Sequence, residues 1–147
     1  MRDLKNNTQL AFGLLATLSG TTPAKGNIVD LQSAGAATFY FETGTVTDAG
    51  TASGFAVEIQ ESDTTADAAF TAVADADLLG LESALTVTDD ASDNVPVGSI
   101  GYIGTKRYVR AVVTGTSGTN ATVAGVWVLG HLSLAPASGV ATNIAAT

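Results

Sequence analysis

The stretch ATFYFET, residues 37–43, has an alternating pattern. Ala37, Phe39 and Phe41 fall on one face of an extended chain, while Thr38, Tyr40 and Glu42 fall on the other. A period of two is typical of a β-strand that buries one face. The stretch therefore predicts a strand that contributes two phenylalanines to a core.

A second stretch, FAVEIQE at residues 55–61, repeats this pattern with Phe55, Val57 and Ile59 on one face. Residues 47–50, TDAG, lie between the two stretches and carry the Asp and Gly that positive-φ turn positions favour. We therefore expect the two strands to form a hairpin that buries an aromatic and aliphatic face.

Other strands are predicted on both sides of this pair. Residues 9–18 alternate with Leu10, Phe12 and Leu18 on one face, and residues 27–31 form a short strand. Towards the other end, residues 106–114 alternate with Val109, Ala111 and Val113 on one face, residues 121–132 are apolar on both faces, and residues 115–120 (GTSGTN) join them as a hairpin loop. A strand that is apolar on both faces is central in its sheet or lies against a partner.

The remaining segments are less regular. Residues 63–85 fit either a short helix or a strand followed by a loop, and residues 88–98 have the Asp, Asn and Pro content of a loop. Seven or eight short strands with Gly and Asp turns predict an all-β fold, an antiparallel sandwich or barrel. We expect one domain over residues 1–147, with an arm (1–7), a β core (8–132) and a tail (133–147).

The composition indicates a protein that contacts other proteins. Charged residues make up 14% of the chain, against about 25% in typical domains, so Thr, Ser, Gly and Ala cover much of the surface. A net charge of −8 argues against binding to nucleic acid and to anionic membranes. The chain has no cysteine, which excludes disulfides and thiolate chemistry.

Residues 10–18, LAFGLLATL, loosely resemble the apolar region of a signal peptide. The polar residues Asp3, Asn6 and Asn7 before them disfavour that interpretation. The run is also shorter than the roughly 20 residues of a membrane-spanning helix.

Candidate chemistry is sparse in the sequence. His131 stands alone without a nucleophile motif, and its place at the end of an apolar strand predicts a capped or half-buried side chain. Asp89, Asp90 and Asp93 could supply oxygens to a calcium ion, but their spacing is not that of an EF-hand, and solvated loop acids are the favoured interpretation. We therefore predict no enzyme activity, no catalytic, metal or cofactor-binding residue and no small-molecule substrate.

The segment GYIGTKRYVR, residues 101–110, concentrates three of the six basic residues. Arginine and aromatic side chains together are typical of protein interfaces, although long side chains that cover a core edge would give the same pattern. The predicted interface residues are Lys106, Arg107, Tyr108, Arg110 and, on the apolar strand 121–132, Trp127.

Several motifs in this order resemble a group of small virion proteins of tailed bacteriophages, which are usually encoded close to the major capsid protein. The motifs are IVDL (28–31), FAVEIQESD (55–63), FTAVADADLL (70–79), GYIGTKRYVR (101–110) and VLGH (128–131) followed by Pro136. The resemblance covers residues 8–138, and GYIGTKRYVR is its most specific part.

This resemblance implies a head decoration, or cement, protein that sits on the outer surface of the capsid and stabilises it. The implied partners are the major capsid protein and further copies of the chain, as a homotrimer. The implied location is the virion, after synthesis in the host cytoplasm. Two alternatives stay open: another virion component (a head–tail connector, tail or fibre module), and a secreted bacterial surface or carbohydrate-binding domain.

Overall fold

A computed structural model of the chain describes residues 3–133 and the backbone of residues 143–144. Two antiparallel sheets pack around one core, so the predicted all-β class is confirmed and the architecture is a sandwich. The described strands are β1 (Gln9–Ser19), β2 (Ala24–Lys25), β3 (Ile28–Asp30), β4 (Ala34–Asp48), β5 (Ala56–Ser62), β6 (Thr71–Ala72), β7 (Leu78–Leu79), β8 (Pro96–Tyr102), β9 (Tyr108–Thr114), β10 (Asn120–Leu132) and β11 (Asn143–Ile144).

The two sheets differ in how their strands are arranged. Sheet A has the order β1-β10-β4-β8-β7, and the two longest strands, β4 and β10, lie side by side within it. Sheet B has the order β11-β3-β9-β5-β6, and β2 also pairs with β9 on the edge that β3 uses. Six strands have seven or more residues, and the other five described strands have two or three.

The alternating patterns of β4, β5 and β9 correctly predicted which of their side chains enter the core. Phe39 and Phe41 of β4 are buried, as are Ile59 of β5 and Val109 of β9. Trp127 of β10 packs against Phe39 with ring centroids 5.2 Å apart. Because these side chains come from both sheets, their burial holds the two layers together.

The predicted hairpin between β4 and β5 is wrong, and so is the one between β9 and β10. In each pair one strand belongs to sheet A and the other to sheet B, so both links cross from one sheet to the other. The two links also bind each other: Thr119 Oγ1 donates to the carbonyl of Ala49 at 3.1 Å, and the N–H of Thr51 donates to Thr116 Oγ1 at 2.8 Å. Gly50, with φ of 98°, allows the first link to turn.

For residues 63–85 the sequence allowed either a short helix or a strand followed by a loop. The structure contains no long helix or long strand there. These residues contain three single 3₁₀ turns, Asp67–Ala69, Asp75–Asp77 and Glu82–Leu85, separated by the two-residue strands β6 and β7. β6 pairs with β5 and β7 pairs with β8, so the segment runs from sheet B to sheet A.

Strand β8 is the long strand that the sequence did not predict. Its glycines hide the alternation: a Cβ at Gly98 would lie 2.9 Å from Leu85, and a Cβ at Gly101 would lie 3.1 Å from Leu79. These glycines therefore let the two leucines pack closely against the strand.

The predicted terminal segments are partly described. In the predicted arm, the N–H of Asn7 donates to the carbonyl of Leu4 at 3.1 Å, so its described part is a turn. In the predicted tail, Asn143–Ile144 pairs with β3. Residues 1–2, 134–142 and 145–147 lie outside the described part of the chain.

Candidate protein interface

The basic residues that the sequence indicates as interface contacts lie where the chain enters β9. The ammonium group of Lys106 pairs with Asp63. The guanidinium group of Arg107 makes two hydrogen bonds to the carboxylate of Asp30, at 3.0 and 2.7 Å. Both basic side chains are partly exposed, and each is bound to an acid of its own chain.

Arg110 is only 3% exposed, which corrects its prediction as a surface contact. It lies on the outer face of sheet B beneath residues 63–72, which we name the covering segment. Its guanidinium carbon is 4.2 Å from the centre of the Phe70 ring, and its Nε donates to Gln60 Oε1 at 2.9 Å. Arg110 also pairs with Asp67, so its role in the fold is to hold the covering segment onto sheet B.

Two carboxylates of this region are held in the charged form. Asp67 accepts hydrogen bonds from Lys25, at 2.6 Å, and from Arg110, and together these bonds lower the pKa of its carboxyl. The hydrogen bonds from Arg107 lower the pKa of Asp30 in the same way. The basic residues therefore serve contacts within the chain on this side of the sandwich.

Trp127 is completely buried, so it cannot contact a partner in the folded domain, and this prediction is also corrected. Strand β10 turns Trp127 into the core, and no described residue offers an acceptor to its indole N–H. The neighbours that β10 turns outward are Val126 and Val128, both half-buried.

Tyr108, the remaining predicted contact, is half-buried at the start of β9. The guanidinium carbon of Arg107 lies 5.0 Å from the centre of the Tyr108 ring, within the range of a cation–π interaction. Lys106 and Arg107 also line a cavity of about 480 Å³ between residues 31–37 and 102–107. Of the five predicted residues, these two are the most accessible to a partner.

The loop that carries Lys106 is fixed by a buried tyrosine. The hydroxyl of Tyr102 donates to Glu61 at 2.6 Å and accepts from the N–H of Lys106 at 2.9 Å. Burial and the hydrogen bond to Glu61 raise the pKa of Tyr102 above its ordinary value, in keeping with a phenol that keeps the proton it donates to Glu61.

The acidic loop uses its carboxylates to bind backbone. Asp93 accepts a hydrogen bond from the N–H of Val46, within β4, at 2.5 Å, and Asp90 accepts one from the N–H of Ala49, just after β4, at 2.7 Å. Asp89 accepts one within its own turn at 2.9 Å. Within the described residues, no three His, Asp or Glu side chains come together as a metal site requires. The structure thus gives these acids a role in closing the loop against β4.

His131 is exposed at the end of β10, so the expectation of a half-buried side chain is wrong. Its φ of 49° lies in the left-handed region, which is uncommon for a residue other than glycine.

The outer face of sheet A carries the largest group of exposed apolar side chains in the described part of the chain. Leu10, Phe12, Leu15, Tyr40 and Leu79 are 47–65% exposed, and all five point outward from this sheet. The strand register arranges this face in three rows: Leu10, Val128, Thr38, Gly101 and Leu79; then Phe12, Val126, Tyr40 and Ser99; then Leu15, Ala124, Glu42 and Pro96. We name these rows the sheet A face.

The sheet A face has a ridge and a groove. Leu10, Phe12 and Leu15 form the ridge along β1. Beside it lies a groove of about 380 Å³, with small side chains such as Ala124 in its floor and Tyr40 on its opposite side. Exposed apolar groups at this density are typical of a surface that another protein covers.

The sequence did not predict this face, because the regular alternation of residues 9–18 places Leu10 and Phe12 in the core. The register shifts between Phe12 and Leu14, and this β-bulge leaves Leu10 and Phe12 outside while Leu14 and the residues after it keep the predicted orientation. Gly13 was the available signal, since an isolated glycine in a strand often marks a bulge. A Cβ at Gly13 would lie 2.8 Å from the carbonyl oxygen of Gly125.

No protein-family model and no curated protein matches this sequence. The described part of the chain contains no helix with the length and apolar character needed to span a bilayer.

Proposed function

We propose that this domain is a non-enzymatic structural protein of a tailed-phage particle and that it decorates the outer surface of the head. The observation that carries a binding role is the exposed, apolar sheet A face on a domain whose other sheet is partly covered by the covering segment of its own chain. The phage assignment comes from the resemblance of residues 8–138, and the low charge content of 14% supports a surface made for contact with protein.

The proposed mechanism is stabilisation by buried area across the joints between capsid subunits. Apolar surface removed from water contributes about 25 cal/mol per Å² before the costs of association are subtracted. The partly exposed pairs of Lys106 with Asp63 and Arg107 with Asp30 lie outside the three rows of the sheet A face. These charges stay available for docking on the major capsid protein and would set its orientation.

The test uses purified particles of the phage whose genome encodes the chain. Mass spectrometry should find the protein in these particles, in hundreds of copies. Particles from which the protein has been stripped should release their genome at a lower temperature than intact ones, and adding the purified protein back should restore the original temperature. A release temperature that stripping leaves unchanged would contradict a cement role.

Copy number separates decoration from the nearest alternative. A dozen copies or fewer per particle would identify a connector, tail or fibre module instead of a head decoration protein. Absence from the particles altogether would overturn the virion assignment and favour the bacterial surface domain.

A further inference from the structure

The sheet A face carries a ridge of exposed apolar side chains beside a mainly apolar groove, in which Glu42 is the one charged lining residue. A ridge and a groove that lie side by side can fit the same pair on a second copy turned about a two-fold axis, and such self-complementarity is what an interface between identical chains requires. We infer that the sheet A face binds the same face of a second copy about a two-fold axis, with the ridge of each copy against the groove of the other. This inference rests on the proposed role in an assembly and assigns the partner of its main surface.

The size of the sheet A face fits such a pair. A stable specific interface buries about 800 Å² on each partner, of which somewhat more than half is apolar. The rows cross the sheet from β1 to β8, which are about 15 Å apart at the usual spacing of strands. The half-exposed rings of Phe12 and Tyr40 alone present on the order of 200 Å², and the leucines beside them extend this to several hundred Å².

The distribution of charge also favours a second copy. Two chains with a net charge of −8 repel each other where their acidic surfaces meet. In the three rows of the sheet A face, Glu42 is the single charged residue. The outer side of sheet B exposes the ion pairs of Lys106 with Asp63 and of Lys25 with Asp67, which a contact there would have to desolvate, so sheet A offers the contact with the lower desolvation cost.

A two-fold pair differs from the homotrimer that the resemblance implies. In a cyclic trimer each copy uses two different patches, one for each neighbour. The ridge and groove of the sheet A face lie in one patch. An isologous dimer uses the same single patch on both copies.

Sedimentation velocity and equilibrium on the purified full-length chain test the inference. We expect a monomer–dimer equilibrium with a dissociation constant in the micromolar range or tighter. Added sodium chloride should leave this constant unchanged or strengthen the dimer, because salt screens the net repulsion and does not weaken apolar contact. A monomer at concentrations up to about 1 mM, a trimer, or a dimer that salt dissociates would overturn the inference.

Matched variants locate the contact. Leu15→Glu on the ridge and Val126→Glu in the groove should each weaken dimerisation at least about tenfold, because a two-fold axis introduces each charge twice into the interface. Ile103→Glu is the control: Ile103 is 53% exposed, like the ridge residues, but lies in the loop after β8 and lines the other cavity. Leu15 is 65% exposed, so its replacement should leave the circular dichroism spectrum and the urea midpoint of the monomer unchanged.

A dimer that survives Leu15→Glu and is lost with Ile103→Glu would place the interface elsewhere and overturn the inference. The outcome is independent of the test on phage particles. A chain that dimerises through this face but is absent from virions would sink only the proposed function, whereas a virion protein that is monomeric in solution would sink only this inference.

Discussion

The outer faces of the two sheets differ in whether another segment of the chain packs on them. On sheet B, the covering segment places Asp67 and Phe70 over Arg110, and the pairs with Lys25 and Lys106 fix it further. On sheet A, the rows around Val126 remain half-exposed or exposed and nearly free of charge. Ion pairs within the chain thus hold the covering segment on sheet B, while sheet A presents apolar side chains to the outside.

This difference shows that the location of the basic residues was a poor guide to the exposed apolar surface. Arg110 and its neighbours have the composition of an interface, and they form one, but between the covering segment and sheet B. The exposed apolar surface consists of leucine, phenylalanine, tyrosine and valine side chains, and among them the exposure of Leu10 and Phe12 depends on the bulge in β1. Composition alone does not distinguish an internal contact from an external one.

The largest expected effect compares two neighbouring residues on opposite faces of β4. Phe39→Ala removes a fully buried ring that contacts Trp127 and should cost about 3–5 kcal/mol of unfolding free energy. Tyr40→Ala removes a half-exposed ring from the sheet A face and should cost less than about 1 kcal/mol in the monomer. Urea unfolding at a concentration below that of self-association measures both. Similar losses for the two variants would mean that the sheet A face is part of the core.

An intermediate loss of stability is expected for a substitution beneath the covering segment of sheet B. Arg110→Met keeps most of the side-chain volume but removes the pair with Asp67, the hydrogen bond to Gln60 and the cation–π contact with Phe70. We expect a loss of about 1–3 kcal/mol, because Asp67 is partly exposed and keeps Lys25 as a partner.

Arg107→Met is the matched control for Arg110→Met, since Arg107 also pairs with an acid but is partly exposed. It should lose less stability in urea, because exposed ion pairs contribute little. Limited proteolysis should also cut the covering segment faster in Arg110→Met than in Arg107→Met. Equal stability and equal cleavage rates would mean that Arg110 does not hold the covering segment.

The smallest expected effect is a pH dependence of the unfolding free energy, caused by carboxylates on the sheet B side. The pKa values of Asp30 and Asp67 are lower in the folded chain than in the unfolded chain, so their contribution to stability is present above about pH 4. That contribution should disappear as the pH falls through the lowered folded values. Urea midpoints at neutral and acidic pH measure the loss, and Asp30→Asn should reduce it.

Glu82 opposes this trend. Burial raises the pKa of its carboxyl, although it accepts a hydrogen bond from the N–H of Ile59 at 2.6 Å. Its protonation on acidification therefore favours the folded state, and Glu82→Gln should make the acid loss appear steeper. An acid loss that neither variant changes would mean that other carboxylates control it.

Alternation along single strands was enough to predict which residues enter the core from β4, β5 and β9, because orientation within a strand is a local property. The pairing of strands was predicted wrongly, because both expected hairpins join strands of different sheets. A turn such as TDAG at 47–50 can close a hairpin or carry the chain to the other sheet, and the choice depends on contacts with residues far along the chain, such as Ala49 with Thr119.

The candidate surface was missed for a related reason. A bulge reverses the orientation of every residue on one side of it, so one undetected shift at Gly13 misplaced Leu10 and Phe12 together. Strand β8 was not predicted because glycines interrupt its alternation. These glycines make room for Leu79 and Leu85, which lie in a segment without a regular hydrophobic period.

The pairing of β1 with β10 has a consequence for the order in which the domain is made. Gln9 pairs with Leu129 and Ser19 pairs with Asn120, so β1 has no partner strand until nearly all of the described chain has been synthesised. At about 5–20 residues per second, the ribosome takes several seconds or more to reach β10. The ridge on β1 and the floor on β10 therefore come together only after β10 has been synthesised, and a partner that binds both does not recognise chains that stop before β10.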